Sequence, residues 1–150
     1  MDEGDVHALA IRFIDALARL EHDGVEALDD LVALFSEDAH LTNPTLEHAG
    51  AERVGRDGVR RFWMTYREVL GEAESRFSHV TTDGRAAGLF WSTRGRGRGR
   101  IGLEYDGVTL IEFDDDGLIR YLRAYFDLET LARAVRRDLS LGADSAQMRP

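Results

Sequence analysis

Val6, Leu9, Ala10, Phe13, Ile14 and Leu17 recur three and four positions apart, which places them on one face of a helix. Asp2 and Asp5 stand where N-caps belong, and His22-Asp23-Gly24 breaks the pattern. A second helix is expected to bury Val25, Leu28, Leu31, Val32 and Phe35. Ala39 to Asn43 is short and alternating, so it reads as a strand that Pro44 stops. A loop of about a dozen residues, longer than most connections, then runs to Asp57. Asp57 is expected to cap a third helix that turns Val59, Phe62, Trp63, Tyr66 and Leu70 inward and ends at Gly71.

Beyond Gly71 the period changes to two. Segments 75–82, 86–94, 101–113 and 118–126 read as strands. Asp83-Gly84, a Gly/Arg stretch and Asp114-Asp115-Asp116-Gly117 supply the turns between them. A last helix would bury Leu128, Leu131, Ala132 and Val135, with a polar tail over 140–150. No repeat or linker divides the chain, so residues 1–150 are expected to form one domain. Helices followed by an antiparallel meander give an α+β layering. The sheet must curl over the helices to bury both apolar faces, making a cone open at one end.

Composition narrows the chemistry. There is no cysteine, which removes disulfides and thiolate nucleophiles. All 19 basic residues are arginine, so lysine Schiff bases, covalent pyridoxal phosphate and a P-loop lysine are also excluded. A net charge of −9 argues against nucleic acid and anionic membranes as partners. No apolar run approaches the roughly 20 residues that span a bilayer, and the acidic Met-Asp-Glu-Gly-Asp start is unlike a targeting peptide, so the cytoplasm is the expected compartment. His7, His22, His40, His48 and His79 lack metal-ligand spacing, and no serine stands in a G-x-S-x-G context. No cofactor and no metal are expected.

Three segments carry a family resemblance. Leu34-Phe35-Ser36-Glu37-Asp38-Ala39-His40-Leu41-Thr42-Asn43-Pro44 is similar to the helix-to-strand segment of SnoaL-like polyketide cyclases, steroid isomerases and limonene epoxide hydrolases, all of the nuclear transport factor 2-like superfamily. Gly55-Arg56-Asp57-Gly58-Val59 is similar to the start of their third helix, and Gly117-Leu118-Ile119-Arg120-Tyr121-Leu122-Arg123-Ala124-Tyr125-Phe126-Asp127 to their last strand and cap. The resemblance implies a cone-shaped α+β barrel around one pocket.

It does not bring the families' reactive groups with it. At the isomerase base position stands Asn43, at its tyrosine position Phe13 and at its acid position Thr109. An amide is no base and phenylalanine donates no hydrogen bond. For the epoxide hydrolases Asn43 and Arg94 match, but the partner carboxylates fall on Arg96 and Ala124 and the tyrosine on Leu41. The cyclase aspartate and histidine positions hold Ala124 and Thr109. No catalytic residue is assigned.

Strand alternation predicts the pocket wall. Leu41 and Asn43 come from the first strand, and Phe90, Ser92, Arg94, Tyr105, Thr109, Leu122, Ala124 and Phe126 from the meander. Trp63 and Tyr66 come from the third helix, although a buried helical stripe would place them there in any case. Asn43, Trp63, Tyr66, Arg94, Tyr105, Thr109 and Phe126 are the candidate binding residues, with Arg94 pairing an oxygen of the ligand. Ligands are expected to enter at the end rimmed by residues 44–56. The run Arg94-Gly95-Arg96-Gly97-Arg98-Gly99-Arg100 reads as a solvated hairpin end, with a phosphate clamp or a carrier-protein dock as alternatives. Glu47 and His48 on the rim are read as solvated, with an acid–base pair as the alternative, and Asp127 as the cap of the last helix.

Two functions fit. One is a cofactor-independent isomerase, cyclase, lyase or epoxide hydrolase acting on a small hydrophobic oxygen-containing molecule in secondary metabolism. The other is a binding or assembly module that lacks the catalytic carboxylates. Leu89, Trp91, Val108, Leu110, Tyr121 and Tyr125 are expected on the outer sheet face, where a homodimer would cover them.

Overall fold

The computed structural model describes residues 2–96 and 102–130. Its elements are α1 (Glu3–Asp23), α2 (Leu28–Val32), β1 (Phe35–Thr42), α3 (Pro44–His48), β2 (Arg53–Val54), α4 (Gly55–Leu70), β3 (Glu72–Asp83), β4 (Ala86–Arg96), β5 (Gly102–Phe113) and β6 (Ile119–Phe126). The expected continuation of the last helix beyond Thr130, the 140–150 tail and the centre of the Gly/Arg run lie outside the described residues.

Six strands form one open sheet in the order β2-β1-β6-β5-β4-β3. Every pairing is antiparallel except β1 with β6, which is parallel. The sheet is therefore mixed, and the expected meander is its β3-to-β6 part. Helices α1 and α4 lie against β3 and β1 respectively. Between helices and sheet sits a core that includes Phe13, Phe35, Leu41, Ile111, Phe113 and Leu122, each almost fully buried. Among the described residues no helix is long and apolar enough to cross a membrane.

The ends of α1 follow its sequence. The Asp2 side chain accepts from the Asp5 amide at 2.8 Å and Asp5 reaches back to the Asp2 amide, so the two aspartates form a capping box. Gly71 ends α4 at φ 62°, and a Cβ there would come within 2.1 Å of the Arg96 carbonyl oxygen. Only glycine lets β4 pass so close to the helix end.

Four expectations need correction. The second helix is split into a 3-10 turn over Gly24–Ala27 and the short α2, and Phe35 already belongs to β1. The segment after Pro44 is not an unstructured rim, because α3 and β2 occupy it. Helix α4 starts at Gly55 with Val54 in the cap position, so Asp57 lies in its first turn instead of capping it.

The fourth correction moves side chains across the sheet. In β4 the inner face carries Ala87, Leu89, Trp91 and Thr93, and the outer face carries Phe90, Ser92 and Arg94. A shift of one residue in a period-two strand exchanges the faces completely. The reason is energetic. The inner set is the more apolar, whereas an inward Arg94 would place an unpaired guanidinium in an apolar wall. Outside, Arg94 is 73% exposed and lies 3.7 Å from Glu104 on the neighbouring strand.

A candidate binding cavity with a carboxylate behind its wall

The register of β3 to β6 stacks inward side chains in rows. Ser75, Thr93 and Tyr105 face one another across β3, β4 and β5 and make a polar row. Phe77, Trp91, Gly107 and Phe126 form the next row across four strands. Leu89, Thr109 and Ala124 follow. Over these rows lies the inner face of α4, with Phe62, Trp63 and Tyr66, and between helix and sheet remains a cavity of about 440 Å³. Thr45 and Leu46 of α3 and Arg53 of β2 reach its wall, so the 44–56 segment does border it.

Aromatic rings dominate the lining. Trp91 packs edge-on against Tyr105 at 5.2 Å between centroids, Tyr105 against Phe126 at 5.4 Å, and Trp63 against Tyr66 at 5.4 Å. Gly107 makes the second row possible. A Cβ there would meet the Trp91 ring at 2.7 Å and the Tyr125 carbonyl oxygen at 2.3 Å, so the indole lies where any side chain would stand. The Trp91 Nε1–H then donates to Thr109 Oγ1 at 2.8 Å.

The polar row is tied to a residue that the sequence reading missed. Glu21, near the end of α1, is 7% exposed. Its Oε2 accepts from the Tyr66 hydroxyl at 2.5 Å and from Ser75 Oγ at 2.6 Å, and its Oε1 accepts from the Ser75 amide at 3.0 Å. Ser75 Oγ is 2.7 Å from Thr93 Oγ1. Arg67 is nearby, but its guanidinium donates to the backbone carbonyls of Glu21 and Gly71, not to the carboxylate. Three hydrogen bonds thus stabilise a buried carboxylate that makes no ion pair among the described residues. Burial, and then the Glu21 charge, push the Tyr66 phenol well above the ordinary tyrosine value. The same two causes raise Tyr105 strongly.

Glu21 was legible. It stands four residues after Leu17, on the stripe that also buries Phe13 and Leu20, and a charged residue on such a stripe is informative.

Of the seven candidate binding residues, the structure brings Asn43, Trp63, Tyr66, Tyr105, Thr109 and Phe126 to the cavity wall. Arg94 is excluded from it and lies on the outer surface. Phe90 and Ser92 share that outward face, whereas Trp91 and Leu89 point inward, opposite to expectation. Asn43 is also a structural cap, its Oδ1 accepting from the Leu46 amide at 2.9 Å at the start of α3. Asp127 caps the next helical turn through the amides of Glu129 and Thr130. Glu47 pairs with Arg123 on β6 at 2.9 Å, which pins α3 over the rim. Among the described residues no three metal-ligating side chains gather.

Among the described residues two buried side-chain nitrogens make no hydrogen bond, Trp63 Nε1 and Arg123 Nε, and the second is ion-paired with Glu47. Trp63 is 5% exposed and lines the cavity, and its Nε1–H finds no acceptor among the described residues. The Tyr105 hydroxyl likewise makes no hydrogen bond to another described residue.

An open α+β cone with its helices over a single-layered curved sheet, and an aromatic cavity between them, defines the class. The SnoaL-like domain model matches residues 10–122, and the chain belongs to that family. No curated protein sequence matches it. Its fold is similar to that of a nuclear transport factor 2-like protein of unknown function from Burkholderia pseudomallei, with a TM-score of 0.75 at 16% identity, covering 90% of this chain and 98% of that one. An LEH-like epoxide hydrolase from M. tuberculosis matches with a TM-score of 0.66 at 19% identity, over 89% of this chain and 93% of the other. An epoxide hydrolase/cyclase-like enzyme of pyran ring formation in the polyether salinomycin matches with a TM-score of 0.68 at 17% identity, over 86% and 95%.

Proposed function

We propose that this protein binds a small hydrophobic molecule in the aromatic cavity and holds one oxygen of that molecule by hydrogen bonds. The unpartnered Trp63 Nε1–H carries this reading. A buried donor left without an acceptor costs about 1–3 kcal/mol, which a ligand oxygen would recover. Tyr105 supports it, because burial and the neighbouring Glu21 keep its phenol protonated and therefore a donor. The Asn43 side-chain NH2 is a third donor at the mouth, since only its oxygen is engaged in capping. These neutral donors take the part first given to Arg94. The volume of about 440 Å³ lies within the range of small-molecule pockets.

Turnover of the bound molecule is the second reading, and Glu21 favours it. The family's carboxylate positions on the strands hold other residues, yet a buried carboxylate from α1 stands behind the cavity wall, bonded to Tyr66 and Ser75, which line it. The activities named for the epoxide hydrolase and cyclase-like neighbours make isomerisation, cyclisation or hydration without a cofactor the reactions to assay first.

Calorimetry with a hydrophobic hit from a compound screen tests the binding reading. Trp63→Phe and Tyr105→Phe should each weaken binding by about 1–2 kcal/mol, the worth of a neutral hydrogen bond and its desolvated partner. Equal affinity of both variants and the parent would place the ligand elsewhere.

A further inference from the structure

The hydrogens of the polar row all run one way. A carboxylate only accepts hydrogen bonds, so Tyr66 and Ser75 both donate to Glu21 Oε2. Ser75 has one hydroxyl hydrogen and has given it to Glu21. At 2.7 Å from Ser75 Oγ, Thr93 must therefore be the donor of that pair. Tyr66 Oη and Ser75 Oγ, 3.3 Å apart, then face each other without a hydrogen between them. The result is a one-way chain, from Thr93 through Ser75 to Glu21, joined there by Tyr66.

This polarity fixes what the wall offers. Tyr66 and Thr93 line the cavity with their hydroxyl hydrogens already committed, so toward a ligand they present lone pairs only. Tyr105 stands opposite Thr93 in the β4–β5 register, on the same row, with an uncommitted hydroxyl that can donate. Acceptors and a donor thus meet at one level of the cavity. A ketone, ether or epoxide oxygen can use the donor and leaves the acceptors dry. A hydroxyl group uses both.

We propose that the oxygen taken by this cavity is a hydroxyl, of an alcohol, phenol or enol, which accepts from Tyr105 and donates to the Thr93–Tyr66 pair. Glu21 acts as the specificity-determining residue from behind the wall, without touching the ligand. This rests on the binding reading above and narrows it to one chemical class. Replacing the carboxylate by a carboxamide, as in Glu21→Gln, changes the polarity. The amide offers an NH2 donor toward the hydroxyl oxygens and frees their hydrogens to turn toward the cavity.

Three rigid aromatic probes of matched size test it by isothermal titration calorimetry: 4-phenylphenol, 4-methoxybiphenyl and 4-acetylbiphenyl. The parent protein should bind the phenol about tenfold more tightly than the ether or the ketone, which corresponds to one hydrogen bond of difference. In Glu21→Gln the preference should collapse toward one, and in Thr93→Val, which keeps the shape and removes the acceptor, it should fall in the same direction. Equal binding of the three probes by the parent overturns the proposal while leaving the binding reading in place. A preference that survives in a folded Glu21→Gln protein also overturns it. If none of the probes binds at millimolar concentration, the binding reading fails and the proposal with it.

Discussion

Tyr66 and Glu21 are 45 positions apart in sequence and 2.5 Å apart in space, where the phenol of α4 donates to the carboxylate of α1. That contact fastens the two helices together over the sheet. It also surrounds a buried charge with hydrogen bonds, and losing one partner leaves the carboxylate less satisfied. Tyr66→Phe should therefore lower unfolding stability by about 1–3 kcal/mol in urea titrations. A change below about half a kcal/mol would mean that the helices are held without it.

The raised phenols make stability pH-dependent at the alkaline end. In the unfolded chain a tyrosine titrates near pH 10, and in the fold Tyr66 and Tyr105 titrate higher. Their contribution is fully present below about pH 10 and is lost as pH rises through the folded values. Between those limits stability should fall by about 1.4 kcal/mol per pH unit for each phenol. Urea titrations at pH 9 and pH 11 measure the loss, which should be smaller in the Tyr66→Phe, Tyr105→Phe double variant. An equal loss would assign it to other groups.

Gly107→Ala should be among the most damaging small substitutions. The added methyl has no room between the Trp91 ring and the Tyr125 carbonyl, and backbone cannot yield as a flexible side chain would. Overpacking of this kind costs typically about 1–3 kcal/mol. A thermal melt of the variant reads it directly, and an unchanged Tm would contradict the packing described for Trp91.

Arg94→Ala, in contrast, should change little. The side chain is mostly in solvent, and exposed ion pairs such as that with Glu104 are worth about 0–1 kcal/mol. Stability should stay within about 0.5 kcal/mol of the parent, and ligand affinity should not move. A tenfold loss of affinity would put the arginine back at the site.

The outer sheet face predicts a homodimer. Phe90 and Tyr125 are 40% and 44% exposed there, and Val108, Leu110 and Tyr121 lie half-buried around them. Leu89 and Trp91, first expected on that face, are inside, so the patch is smaller than the sequence suggests and gains Phe90. Sedimentation at micromolar concentration should give a dimer for the parent and a monomer for Tyr125→Glu. A monomeric parent would end the expectation.

The architecture was readable because its signals are periodic. The stripes of α1 and α4 and the alternation of β5 and β6 place Phe13, Trp63, Tyr105, Thr109 and Phe126 inward without further information. In β4 both faces carry aromatic residues, Phe90 and Trp91, so alternation alone leaves two solutions. The family resemblance favoured the one with Arg94 inside, and the apolar total of the opposite face was the better guide. Glu21 was overlooked for a different reason. The α1 stripe announces its burial, but its partners Tyr66 and Ser75 come from two other elements, and nothing local in a helix end announces a contact 54 residues away. The rim was misread because α3 and β2 are too short to build a period, although Asn43-Pro44 is a legible helix start.

The packing of Trp91 over Gly107 has a practical consequence. The chain has two tryptophans, Trp63 and Trp91, and both stand in the cavity wall. Their intrinsic fluorescence therefore originates at the site itself, with no indole elsewhere to dilute the signal. Any molecule that enters should shift or quench the emission in proportion to occupancy. The unmodified protein is its own reporter, and a compound library can be read against it directly, with Trp63→Phe and Trp91→Phe dividing the signal between the two sides of the ligand.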